Sequence, residues 1–446
     1  MRDRLANICM LLAVFLLPWQ TRWIYGQLQI NGSAWEYGAL SVYVVELVLA
    51  AALLLRGWPQ ALPGSFRPMR SGMMLLAACF FSVALAQSLP LSMAMMVHVL
   101  GAFCLFMLVI DVRTRTRDVA LAFVAGLLLP SALGWWQVVV GASPAMSWFG
   151  LASHEAMQSG ASVVETASER ILRAYGSLPH PNIFGGYLAV GLVLLAWLTY
   201  RQPFARAKVL IAVLSAGAIV FASTLVVTFS RGAWLSLGGG LLVLIALMLW
   251  FRKMPPREVF PIATIGLLAV MATLVVFHSA IFTRFEPGAR LEAKSIAERA
   301  GEWQYVDDVV RYNPVTGVGV GGYTATLAKA VPDQEVWAYQ PVHNALMLAL
   351  AEIGLIGFAA LVWFVGSIDK VSYRVARSGN GIFAMALGTV LLIVALFDHY
   401  VWSLWAGLAL AAVCLALMLR WSLEAESRGA AAIVKTKMPA GRPARQ

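Results

Sequence analysis

Charge is scarce in this chain of 446 residues: Asp, Glu, Lys and Arg make up 12% of it and hydrophobic residues 60%, whereas a soluble domain carries roughly 25% charged residues. That excludes a soluble globular protein. Cysteine is scarce too, and Cys9, Cys79, Cys104 and Cys414 each lie within an apolar run with no C-x-x-C pair and no histidine at metal spacing, which argues against a disulfide framework or a zinc site. No Walker, G-x-S-x-G or H-E-x-x-H pattern occurs, and no internal repeat. The net charge of +11 is spread between apolar runs, so membrane topology and not nucleic acid accounts for it.

Runs able to cross about 30 Å of hydrocarbon at 1.5 Å per residue lie near 6–23, 35–55, 72–88, 91–110, 119–141, 183–200, 208–229, 233–250, 259–280, 344–366, 382–398 and 402–419. The expected fold is therefore an all-α polytopic integral membrane protein of about twelve transmembrane helices. A single membrane domain covers 1–423, and 424–446 is a basic, disordered tail. Placing both termini in the cytoplasm puts 23 of the 33 cations on the inside, among them Arg2, Arg56, Arg113, Arg206, Lys370, Arg442 and Arg445. The first span, opening Met-Arg-Asp-Arg without a small-x-small cleavage site, is expected to be a retained anchor. The two longest loops, about 142–182 and 281–342, fall outside, and function with them. Within the second, Ile296, Ala300, Trp303, Val306 and Val310 recur at helical spacing before Asn313-Pro314, predicting an amphipathic helix over 291–312 along the outer surface.

Polar clusters precede three spans that run inward: His180-Pro181-Asn182, Ser230-Arg231-Gly232 and His343-Asn344. Each would place a helix N-terminus, with its unpaired N–H groups and partial positive charge, on the outside, where three together would seat an anion. Arg231 stands at an interface and either snorkels to lipid phosphate or grips a substrate phosphate with its planar fork. Arg299 admits the same readings, or a salt bridge to Glu302. Arg284 and Arg290 are weaker candidates. His343 at a positive helix end should stay neutral and can serve as a general base, or simply cap its helix; Asp398-His399-Tyr400 either orients it or ends the eleventh span. His98 and His278 read as packing or interfacial residues. Glu46 and Glu352 lie within spans, Glu352 as an interhelical hydrogen-bonding group. Gly317-Val318-Gly319-Val320-Gly321-Gly322 follows no strand, so it is a tight turn and not a dinucleotide site. The adjacent Asp307-Asp308 pair supports no metal site.

These pieces together resemble the O-antigen ligase and polymerase superfamily of bacterial envelope enzymes. The matching segments are His180 to Tyr187, Ser230 to Trp234, Arg299 to Trp303, Asn313 to Gly319, His343-Asn344, Glu352 to Gly357 and Asp398-His399, in family order over about half the chain. The resemblance implies a glycosyltransferase of the bacterial inner membrane, with its active site facing the periplasm. The implied donor is a glycan on undecaprenyl pyrophosphate, and membrane lipids surround the protein. By the same likeness Arg231 and Arg299 hold the pyrophosphate and His343 activates the acceptor hydroxyl; Arg290, His180, Asn182, Asn344 and His399 are expected to bind substrate beside them. Neither cofactor nor metal is implied, and direct displacement would invert the anomeric carbon. Within the superfamily the motif set favours a ligase that uses lipid A–core as acceptor. A repeat-unit polymerase and a protein O-oligosaccharyltransferase are the alternatives; relatives of the second kind carry an added C-terminal region. A twelve-helix lipid or solute transporter is the rival from another class, opposed by the short inner link at 201–208 and by motifs at the outer edge.

Overall fold

The computed structural model describes residues 1–201, 208–257, 259–332 and 334–437. Arg206, Arg442 and Arg445, counted above in the charge asymmetry, lie outside them. The chain opens with α1 (Arg2–Leu16), a hairpin of β1 (Arg22–Ile30) and β2 (Ser33–Tyr43), and then α2 (Val44–Arg56), α3 (Phe66–Ala84), α4 (Leu89–Ile110) and α5 (Thr116–Val140). The short strands β3 (Ala142–Ser143), β4 (His154–Glu155), β5 (Val163–Glu165) and β6 (Arg170–Leu172) follow. Next come α6 (Pro181–Arg201), α7 (Lys208–Val227), α8 (Arg231–Trp250), α9 (Val259–Val276), α10 (His278–Phe285), α11 (Arg290–Tyr312) and α12 (Tyr323–Ala330). The chain ends with α13 (Ala345–Arg374), α14 (Gly379–Phe397), α15 (Tyr400–Ser403) and α16 (Trp405–Lys437).

A helix occupies each of the twelve predicted runs. Among the described residues, α4, α5, α6, α8, α9, α13, α14 and α16 are long and apolar enough to cross a membrane, which makes this a mostly helical, polytopic fold. The apolar stretch of α16 is 94% buried, against 22% and 17% for α8 and α9. α16 is therefore the hub of the bundle, while α8 and α9 turn rows such as Leu242, Ile245, Leu267, Leu268 and Val275 outward, as lipid-facing helices do. Segments assigned above to the inside meet at one end: Arg113 pairs with Asp3 at 3.0 Å, Arg56 donates to Thr114 at 2.8 Å, and Arg420 donates to the Val109, Asp111 and Thr114 carbonyls.

The chain is not all-α. Residues 35–43, read as the start of the second span, belong to β2, and the helix begins only at Val44. The cause is Asn31-Gly32, where both residues adopt positive φ, 50° and 78°, between the paired residues Ile30 and Ser33. This two-residue turn matches the twist of a hairpin. The loop at 142–182 is likewise pinned by two small antiparallel pairs, β3 with β4 and β5 with β6. At the other end of the chain, α16 continues helically from Glu424 to Lys437, over the first part of the tail read as disordered.

α11 occupies the predicted position, but only the C-terminal half of its stripe is covered. Val306 and Val309 are buried, while Ile296 and Trp303 are 49% and 52% exposed.

The glycine-rich turn mends a broken helix. Gly354 interrupts α13 at φ 63° and ψ −173°, freeing main-chain groups that lipid could not satisfy. Val318 and Gly319 donate to the Ala351 and Glu352 carbonyls at 3.0 and 2.9 Å, and Leu355 and Ile356 donate to those of Pro314 and Val315 at 3.0 and 3.2 Å. The Glu352 side chain completes the joint, accepting from the Tyr323 amide at 3.3 Å and the Trp402 indole at 2.8 Å. A Cβ on Gly354 would stand 2.4 Å from the Val315 carbonyl carbon. We expect Gly354→Ala to lower the thermal midpoint by several degrees, since positive φ alone costs a non-glycine residue about 1–3 kcal/mol. Gly366→Ala, on the same helix facing open space, should melt like the wild type; equal melting of both variants would contradict the mended break.

Candidate active site

The polar clusters at the starts of α6, α8 and α13 are first of all helix caps. Pro181 opens α6 with its φ already helical, the Ser230 hydroxyl accepts from the Ala233 amide at 3.4 Å, and the Asn344 carboxamide accepts from Leu346 and Met347 at 3.0 Å each. These caps revise the expected anion seat. At α6 the amides of Ile183 and Phe184 go to the His180 carbonyl and that of Asn182 goes to His180 Nδ1. At α13, Ala345 donates to the Asp398 carbonyl at 3.1 Å. Only α8 keeps first-turn amides, those of Arg231 and Gly232, without a partner among the described residues. Asn344 also donates to Leu396 O at 3.1 Å, so it caps α13 and ties it to α14, and it stands outside the lining of the cavity described next.

The three helix starts surround one cavity of about 1570 Å³, larger than the sites that hold drug-sized ligands. His180, Asn182, Arg231, Arg290, Arg299, His343 and His399 all line it. So do Arg284, Glu302 and three residues that the sequence does not single out: Glu36 and Tyr37 from the hairpin and Arg173 after β6. Eight arginine and lysine side chains face four carboxylates on its walls, so the cavity attracts anions.

His343 is the one histidine here bonded to a carboxylate. Its Nδ1 lies 2.8 and 2.9 Å from the two Glu302 oxygens, and its amide donates to Glu302 at 3.0 Å. This arrangement places the proton on Nδ1 and leaves Nε2, with no partner among the described residues, as the acceptor. Burial disfavours the imidazolium, but the Glu302 hydrogen bond and the charges of Asp398 and Glu302 outweigh it. The His343 pKa is therefore raised above that of a free imidazole, although Arg299 pulls it back. This reverses the expectation that a positive helix end keeps His343 neutral: α13 is capped, and the carboxylate dominates.

Three further histidines line the cavity: burial lowers the pKa of His154, and His180 and His399 are held uncharged. Burial and Arg173 push His180 down to about 3; its Nδ1 accepts from the Asn182 amide and its Nε2 meets Ser162 Oγ at 2.9 Å. Burial pushes His399 down to about 4. Its ring stands edge-on to His343, centroids 5.2 Å apart, and its Nδ1 bonds Ser403 Oγ at 2.6 Å. Asn182 bridges Arg173 and Asp398 at 2.7 and 3.0 Å. That bridge fastens the first loop and α6 to the end of α14.

The cations differ in how free they are. Arg231 pairs with Glu292 at 3.0 Å and donates to the Arg284 carbonyl at 2.9 Å, while Arg284 also pairs with Glu292. The buried Glu292 thus aligns two guanidinium groups at the start of α8. Arg290 is tied at the rim to Glu165, 2.8 Å away. Arg299 makes no ion pair or hydrogen bond among the described residues, because Glu302, three residues on, is taken by His343. Burial lowers the pKa of Arg173 to about 9, with the Arg284 charge adding to the effect.

Residues 216–362 match the family model described as O-antigen ligase. This segment is similar to the O-antigen ligase superfamily. It contains Arg231, Arg284, Arg299, Glu302 and His343, whereas His180, Asn182 and His399 reach the same cavity from outside it. O-antigen ligase family members are glycosyl-transferring enzymes of ligase and polymerase type. No curated protein matches the chain.

A base role for His343 needs the neutral imidazole, so that role predicts activity rising with pH through its raised pKa. Glu302→Gln removes the charge that raises that pKa, so the acid limb of kcat/KM should move to lower pH while its plateau falls. An unmoved limb would detach Glu302 from the base.

Proposed function

We propose that the protein transfers O-antigen glycan from undecaprenyl pyrophosphate to a sugar hydroxyl of lipid A–core at the periplasmic face of the bacterial inner membrane, completing lipopolysaccharide. The observation that carries this reading is the pairing of His343 with Glu302 on the wall of the cavity that Arg231 and Arg299 also line. The Lys and Arg bias supports the orientation, since the cavity lies at the end of the bundle away from the basic inner segments.

In this reading Arg231, aligned by Glu292, and the unpaired Arg299 neutralise the pyrophosphate, aided by the free first-turn amides of α8. His343 Nε2 takes the proton of the acceptor hydroxyl while Glu302 holds Nδ1 and stabilises the imidazolium that forms. The acceptor oxygen bonds to the anomeric carbon from the face opposite the leaving group, the old bond breaks, and undecaprenyl pyrophosphate departs with the electron pair. Configuration inverts. The leaving group is already activated, so charge stabilisation and one proton transfer suffice, and the mechanism requires no metal ion.

The test is transfer by purified protein in EDTA, with defined lipid-linked glycan as donor and either lipid A–core or further repeat units as acceptor. Product on lipid A–core, with activity undiminished by chelation, is expected. Product on repeat units alone would make the protein a polymerase, donor binding without any product would favour transport, and loss of activity restored by a divalent cation would overturn the metal-free mechanism.

A further inference from the structure

α6 leaves the active-site cavity at Pro181 and ends at Arg201 after 21 residues, about 31 Å at 1.5 Å per residue and so one hydrocarbon thickness away. There a second cavity, of about 440 Å³, opens between the start of α5, the end of α6 and the outer part of α16. Arg115, Arg117, Arg201, Arg420 and Arg428 line it, with Glu424 as the single carboxylate on its walls.

Two of these charges are already committed. Arg420, 4% exposed, donates to Thr116 Oγ1 and to the carbonyls of Val109, Asp111 and Thr114 at 2.6–2.9 Å. It is a rivet between α16 and the loop before α5. Glu424 accepts from Thr116 and lies 3.6 Å from Arg420. Arg115, Arg117, Arg201 and Arg428 are exposed and have neither ion pair nor hydrogen bond among the described residues. Four like charges around one concavity repel each other unless an anion joins them. The inner wall is apolar, formed by Leu198 and by Trp197, whose ring stacks on Trp421 at 5.0 Å and whose indole N–H donates to Asn380. A cationic rim over an apolar wall at membrane depth fits a molecule with a phosphate at one end and hydrocarbon at the other.

We propose that this second cavity binds an anionic phospholipid, its phosphate among Arg115, Arg117, Arg201 and Arg428 and its glycerol end toward the floor that Trp197 and Leu198, 3% and 1% exposed, underlie. A basic pocket between helices at a membrane surface recognises headgroups in this way. The bound lipid would join α5, α6 and α16 at the end of the bundle remote from glycan chemistry.

Native mass spectrometry of the purified full chain, titrated with phosphatidylglycerol or phosphatidylcholine, tests the proposal. Phosphatidylglycerol adducts should predominate, each removed charge should weaken them about five-fold, and Arg117→Gln/Arg201→Gln/Arg428→Gln should abolish the preference. Arg420 is spared so that the rivet persists. Should the triple variant fail to fold, Arg117→Gln and Arg428→Gln alone, both at exposed positions, must each still show the five-fold loss. Equal binding of the two lipids, or equal phosphatidylglycerol binding by wild type and variants, would overturn the proposal. Displacement of phosphatidylglycerol by equimolar inorganic phosphate would overturn it too, by assigning the pocket to free phosphate.

Discussion

Replacing His343 with alanine is expected to lower glycan transfer by about a hundred- to ten-thousand-fold, the range that a positioned general base contributes, while donor binding stays within a few-fold of wild type. The reason lies in how the imidazole is held. Both Glu302 oxygens face Nδ1, and one also takes the His343 amide, so ring orientation and proton position are fixed together. His399 beside it cannot substitute, because its Nδ1 is bonded to Ser403 and it packs edge-on against Tyr37 and His343. His180 is locked between the Asn182 amide and Ser162. Transfer rates from single-turnover assays, measured alongside donor affinity, check this prediction. Wild-type transfer would remove the base, and lost donor binding would recast His343 as a binding residue.

The second large effect is expected at Arg231. Arg231→Lys keeps the charge, yet should cost about a hundred-fold in kcat/KM, the scale of losing one oriented donor to developing negative charge. A lysine cannot at once reach Glu292 and the Arg284 carbonyl, as the guanidinium does at 3.0 and 2.9 Å, and present a planar edge to a phosphate. Because Glu292 is buried and shared with Arg284, the lysine variant would also leave that carboxylate partly unmatched. Steady-state kinetics over donor concentration decide the matter: near-normal kcat/KM would make Arg231 a membrane anchor and move pyrophosphate binding to Arg299 and Arg284.

The sequence made the spans and the helix starts legible because each rests on local information. Apolar length over about 20 residues and a Pro, Ser or Asn at the first turn are local signals, and they located α6, α8 and α13 and therefore the cavity their starts surround. What it could not supply was pairing between distant segments. Glu302 was weighed as a partner for Arg299 because both sit on one face of α11, whereas it belongs to His343, 41 residues on. Asn344 beside a candidate base suggests a ligand, and the structure adds that it caps α13, a role an Asn at the start of a helix also fits. The hairpin that brings Glu36 and Tyr37 to the cavity was hidden in an apolar run, although Asn31-Gly32 is the short-range signal that would have revealed it. Gly354 and the glycine-rich turn were both visible, but nothing local says that each completes the main-chain hydrogen bonds of the other.

The most direct measurement of the central claim is a structure of the protein with undecaprenyl pyrophosphate bound. Its pyrophosphate should lie between the Arg231 and Arg299 guanidinium groups, with His343 Nε2 facing the space that an acceptor hydroxyl would enter. A pyrophosphate seated elsewhere, with either arginine turned away or His343 walled off from it, would contradict the account.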